Sequence, residues 1–186
     1  MKNLYVLSIL IVAMFFSSCG ETGEQSSSDG GIDQNELKGQ SGVQDENATP
    51  NILQVALGSK DHTTLVAGVK AAALQDVLVN AGPLTVFAPT NAAFDGLPDG
   101  TLETLLKPEN KAVLARIIKF HAAPGSYSGD LLRDGQSLYM ASGHNVKIAK
   151  DGDKVTVNGA NILGTVKASN GIVHLIDAVL LPPEEE

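Results

Sequence analysis

The chain has one cysteine, no tryptophan, five phenylalanines and three tyrosines in 186 residues. A single cysteine excludes an internal disulfide framework and the zinc motifs built on cysteine pairs. So few aromatic rings argue against a stacking platform for bases or sugars. Cations are scarce too: 13 Lys and Arg stand against 21 Asp and Glu, a net charge of −8. With no basic stripe to meet phosphates, nucleic acid is not expected as a partner. The four histidines, His62, His121, His144 and His174, never fall three or four residues apart, so no helical metal pair is expected. Asp151-Gly152-Asp153 lacks the further ligands and the Glu of a calcium loop. No glycine-rich phosphate loop occurs, and Gly125-Ser126-Tyr127-Ser128-Gly129 carries Tyr127 where a nucleophile elbow requires serine. These absences point away from catalysis, and no catalytic residue, metal or cofactor is assigned.

Long apolar runs are also missing, with one exception at the start. Leu4 to Phe16 is interrupted only by Tyr5 and Ser8 and follows Lys2. As a helix it would span roughly 20 Å, short of the ~30 Å hydrocarbon core. Residues 1–18 therefore read as a signal peptide, with small Ser17-Ser18 before the break. Cys19 follows at once. A lone cysteine in an exported chain is explained by a bacterial lipobox, in which the thiol is acylated and begins the mature protein. Acyl chains, at about 0.8 kcal/mol per buried CH2, hold such a protein on a membrane. The expected location is thus the bacterial cell envelope, at the outer membrane or the cell surface, with the membrane engaged through this N-terminal lipid.

Residues 19–50 follow as an acidic tether. Gly20 to Pro50 holds six Gly, seven acidic residues and one Lys among Ser and Gln, too little apolar surface to offset its ordering entropy. As a random coil it reaches roughly 30 Å. Composition changes at Asn51. Residues 51–182 are rich in Leu, Val, Ala and Ile, enough for one domain with a single core. Residues 183–186 form an acidic tail.

The first half of the domain has helical periodicity. Ile52, Val55 and Ala56 form one apolar face, and Leu65, Val69, Ala72 and Ala73 another, with Asp61 as its expected N-cap. Leu102, Leu105 and Leu106 predict a short helix, and Val113, Ile117 and Ile118 a longer one after Pro108. Between them Leu84 to Ala88 predicts a strand that Pro89 closes. The second half alternates: Val146 and Ile148, then Val155 and Val157, separated by the turn pairs Asp151-Gly152 and Asn158-Gly159. Ile162-Leu163 and Gly171 to Leu181 add further strands. Helices first and antiparallel strands later make an α+β domain.

Two segments carry more than periodicity. Thr85-Val86-Phe87-Ala88-Pro89-Thr90-Asn91-Ala92-Ala93-Phe94 resembles the first signature of fasciclin (FAS1) domains, and Asn170-Gly171-Ile172-Val173-His174-Leu175-Ile176-Asp177-Ala178-Val179-Leu180 resembles the second. Phe120-His121 stands between them, where that family has a short aromatic-His motif. On the residues alone, Thr90 or Asn91 caps a short helix that places Phe94 in the core. Gly171 supplies a turn, Val173, His174 and Ile176 belong to a strand, and Asp177 makes a structural hydrogen bond.

The resemblance implies a single domain with a wedge-shaped, mostly antiparallel sheet flanked by short helices. It also implies adhesion to cells or extracellular matrix, with Phe120 and His121 as the contact proposed in animal members. Phe120 stands where that motif often has Tyr, and no Arg-Gly-Asp triplet is present. The alternative role for the pair is a structural clamp, with His121 bonded to Thr90 or Asn91. The expected function is an envelope-anchored module that binds an extracellular protein or polysaccharide surface. The other reading is a carrier or sensor of a small apolar ligand, favoured by a pocket deeper than ~300 Å3 with apolar walls.

Overall fold

The computed structural model describes residues 49–80 and 82–183. The signal peptide, Cys19, the tether up to residue 48 and the last three residues of the acidic tail lie outside the described residues. Among the described residues there are six short α-helices, all before the last six strands in the chain: α1 (Ile52–Leu57), α2 (Thr63–Ala72), α3 (Gln75–Asn80), α4 (Asn91–Asp95), α5 (Thr101–Leu105) and α6 (Lys111–Phe120). The strands are β1 (Leu84–Pro89), set between α3 and α4, then β2 (Ala122–Pro124), β3 (Ser137–Tyr139), β4 (Asn145–Asp151), β5 (Lys154–Val157), β6 (Ala160–Ala168) and β7 (Gly171–Ile176). They form one sheet in the order β2-β1-β7-β6-β5-β4-β3, in which only β1 and β7 run parallel. The domain is α+β, and no described helix is long and apolar enough to cross a membrane.

β1 explains why the sheet has a core on each face. All six of its residues are buried, as expected of a strand covered on both sides. Side chains alternate along a strand, so Leu84, Val86 and Ala88 enter a helix-side core with Leu53, Leu65 and Ile118. Phe87 enters the opposite core with Phe120, Met140, Val146, Ile148 and Ile176. The antiparallel half follows its turn residues: Asn158 and Gly159 both have positive φ, 48° and 90°, the type I′ requirement between β5 and β6.

Several expectations are corrected. Asp61 caps no helix: it lies within a single 3-10 turn, Lys60–His62, whose cap is Ser59. Ala73 is exposed and ends α2 in the left-handed conformation. On α6 the buried face is Leu114, Ile117 and Ile118, while Val113 is 51% exposed, because Leu114 is the residue three before Ile117 and four before Ile118. Phe94 is only half-buried, packed against the margin of the helix-side core, because the residue that α4 turns fully inward is its neighbour Ala93. The last strand ends at Ile176 rather than Leu181, and Asp177 is exposed beyond it.

Candidate functional site

The two signature segments meet side by side as β1 and β7, from Leu84 opposite Gly171 to Pro89 opposite Ile176. At Gly171 a Cβ would lie 1.9 Å from the Leu84 carbonyl oxygen, so only glycine lets these backbones approach. Asn170 secures the same corner: its Oδ1 accepts from the Ile52 N–H at 2.9 Å and its Nδ2 donates to the Leu78 carbonyl at 2.7 Å. In the first signature Thr90 caps α4 by accepting from the Ala93 N–H at 3.3 Å. Asn91 serves the start of α2 instead, accepting from the Thr64 N–H at 3.1 Å and donating to the Lys60 carbonyl at 3.0 Å. Asp177 holds Asn161, accepting from its N–H at 2.7 Å and its Nδ2 at 2.6 Å.

Thr85 and His174, both fully buried, converge on the loop after β2. The Thr85 hydroxyl donates to the Gly125 carbonyl at 2.8 Å and accepts from the Tyr127 N–H at 2.8 Å. The Tyr127 carbonyl lies 2.7 Å from His174 Nε2. A carbonyl only accepts, so Nε2 carries the proton, and Nδ1 accepts from the Thr165 hydroxyl at 2.8 Å. The ring stacks on Phe87 with centroids 5.5 Å apart. Burial pushes the His174 pKa below its ordinary value, which the bond to Tyr127 partly opposes.

Phe120 and His121 face inward, 1% and 3% exposed. His121 does not bond Thr90 or Asn91, as the sequence suggested. Its Nδ1 donates to the Ile117 carbonyl at 2.9 Å, one turn back on α6, and its Nε2 accepts from the Leu180 N–H at 2.9 Å. Its carbonyl accepts from the Phe87 N–H at 2.8 Å. Phe120 packs in the sheet-side core and meets the His144 ring edge-on. Burial lowers the His121 pKa to about 4. Thr165 and the Tyr127 peptide lie outside both signatures and were not legible as partners in the sequence, and Leu180, the last residue of the second signature, was legible only as part of a strand. Asn170, inside the second signature, was legible only as a turn residue.

The surface offers something different. An open groove of about 620 Å3 runs between α3, the C-terminal end of α6 and β2. Its walls include Val77, Leu78, Pro83, Ile118 and Ala122, and among the described residues Lys119 is the one charged residue on them. The groove thus touches both neighbours of the Phe120-His121 pair but not the pair itself. Among the described residues no three of His, Cys, Asp and Glu are grouped to hold a metal ion.

A sequence model of the fasciclin domain matches residues 60–182. Protein sll1483 of Synechocystis sp. is 47% identical over 133 residues, spanning 71% of this chain and 73% of that protein. Human periostin is 32% identical over 123 residues, 63% of this chain but only 14% of periostin. The FAS1 domain pair of the insect cell adhesion molecule Fasciclin I superposes with a TM-score of 0.65 over 72% of this chain and 51% of that one. At 17% identity that likeness is one of fold.

Proposed function

This chain belongs to the fasciclin domain family, and from that membership we propose that it is an envelope-anchored binding module that adheres to an extracellular protein or polysaccharide surface and catalyses nothing. The observation that carries the reading is the extent of the match, residues 60–182, which takes in nearly all of the described fold. The chemistry is in keeping with it, since both ring nitrogens of His121 and of His174 are occupied by structural partners. On this reading Phe120 and His121 are a clamp inside the fold rather than the contact. Cells displaying the full chain should attach to matrix-polymer surfaces more than cells lacking it; equal attachment on every surface would sink the adhesion reading.

The anchor is Cys19, preceded by Ser17-Ser18. Cys19→Ala is expected to leave an uncleaved or mislocalised precursor that takes up no labelled palmitate. Normal processing and membrane retention of the variant would contradict the anchor.

A second reading, carriage of a small apolar ligand, is favoured by one observation. The groove volume of about 620 Å3 lies within the range of small-molecule sites, roughly 300–1,000 Å3.

A further inference from the structure

We infer that the groove between α3, α6 and β2 binds a single-chain aliphatic carboxylate, with the hydrocarbon on the apolar walls and the carboxylate at Lys119. The inference rests on the carrier reading and adds the class of ligand.

Three observations select the occupant. The first is the state of the backbone around the groove. The Gly125 N–H donates to the Pro83 carbonyl and the Ala141 N–H to the Ala122 carbonyl, each at 2.7 Å, and Leu84 and Val86 are paired with Pro124 and Ala122. An extended peptide laid there would lose water from its own N–H and C=O groups and find these partners already taken. A hydrocarbon chain has no such groups to satisfy.

The second is volume. A helix about 10 Å across fills roughly 400 Å3 per turn, so about 620 Å3 holds about one and a half turns of it. Such a length is far below what a helix needs to hold itself together. A single flexible chain fits the same space.

The third is charge. Lys119 is exposed, is the only charged residue among the described residues that line the groove, and makes no hydrogen bond or ion pair within the described fold. A lysine stem covers apolar surface while its ammonium stays at the rim. In a chain of net charge −8 that places an isolated cation at the mouth of an apolar trough. Val77, 52% exposed, forms the open lip, and a bound chain would cover it.

The test is a fluorescence titration with cis-parinaric acid, below its micelle concentration, and with the matching parinaryl alcohol. It uses the mature chain with Cys19→Ser, so that acyl groups of its own cannot compete. The parent should bind the acid saturably and at least fivefold more tightly than the alcohol. Lys119→Gln should erase that preference, and the uncharged polar Val77→Gln should weaken both probes at least tenfold. Both positions are exposed, so both variants should melt like the parent. Equal affinity for acid and alcohol would overturn the carboxylate assignment and leave the carrier reading standing. No saturable binding of either probe would overturn both. Undiminished binding by a folded Val77→Gln variant would place the ligand elsewhere and overturn the inference.

Discussion

At the scale of single residues, His121 shows how a buried imidazole fixes its own protonation state. The Ile117 carbonyl requires a proton on Nδ1, and the Leu180 N–H requires a lone pair on Nε2. Only the neutral Nδ1–H tautomer meets both demands. A protonated ring would confront the Leu180 N–H with a second donor, and burial opposes the charge as well, hence the fall to about 4. His174 differs, because its Nδ1 partner is the Thr165 hydroxyl, which turns to accept when the ring is charged.

The pH dependence follows. The unfolded chain takes up a proton near pH 6.5, whereas the folded His121 resists until about pH 4. Stability is therefore complete above pH 6.5, declines as the pH falls towards 4, and levels off below. A shift of this size corresponds to about 3 kcal/mol. The lowered pKa values of His62 and His174 act in the same direction. His121→Ala strands two buried backbone partners and should cost about 1–3 kcal/mol at pH 7.5, with a shallower decline in acid. Urea melts at pH 7.5, 5.5 and 4.5 would measure both; a variant as stable as the parent at pH 7.5 would remove the clamp from the account.

Among the elements, the parallel pair β1 and β7 is the most demanding. Gly171 sits against the Leu84 backbone, where a methyl group would meet the carbonyl oxygen at 1.9 Å, and its φ of 157° is uncommon for other residues. Neither side of that contact is a flexible side chain, so the strands must part. Gly171→Ala is expected to destabilise by about 3 kcal/mol or more, at or beyond the upper end of overpacking losses. A change under about 1 kcal/mol in denaturant melts would mean that the corner opens more readily than its geometry suggests.

The same scale shows what the sequence could convey. β4, β5 and the I′ turn at Asn158-Gly159 were legible because alternation and turn chemistry are local. β2 and β3 were not: each has three residues, and β2, Ala-Ala-Pro, is a strand only because β1 pairs with it. The phase of α6 was misjudged between adjacent apolar residues, Val113 and Leu114, of which only Leu114 lies behind both Ile117 and Ile118.

Across the whole molecule, the signatures were legible as fold-keeping segments, but the groove was not. Its lining comes from Leu74 to Leu84, Ile118 to Gly125 and Ala141, segments that are ordinary apolar sequence until the sheet brings them together. The same long-range assembly couples the two cores. β1 sends Val86 and Ala88 to one and Phe87 to the other, while α6 sends Leu114 and Ile118 to one and Phe120 to the other. Neither core can be lost without displacing an element that the other needs, so the domain should unfold in a single transition. Leu65→Ala in the helix-side core and Ile148→Ala in the sheet-side core should each cost about 2–5 kcal/mol. Far-UV circular dichroism follows the helices. Within residues 19–186 the only tyrosines are Tyr127 and Tyr139, so the intrinsic fluorescence of that segment follows the sheet-side core and the loop after β2. For the parent and both variants the two signals should move together, as a two-state domain requires. A Leu65→Ala melt in which dichroism falls well before fluorescence would show that the cores separate, and that β1 and α6 do not bind them into one unit.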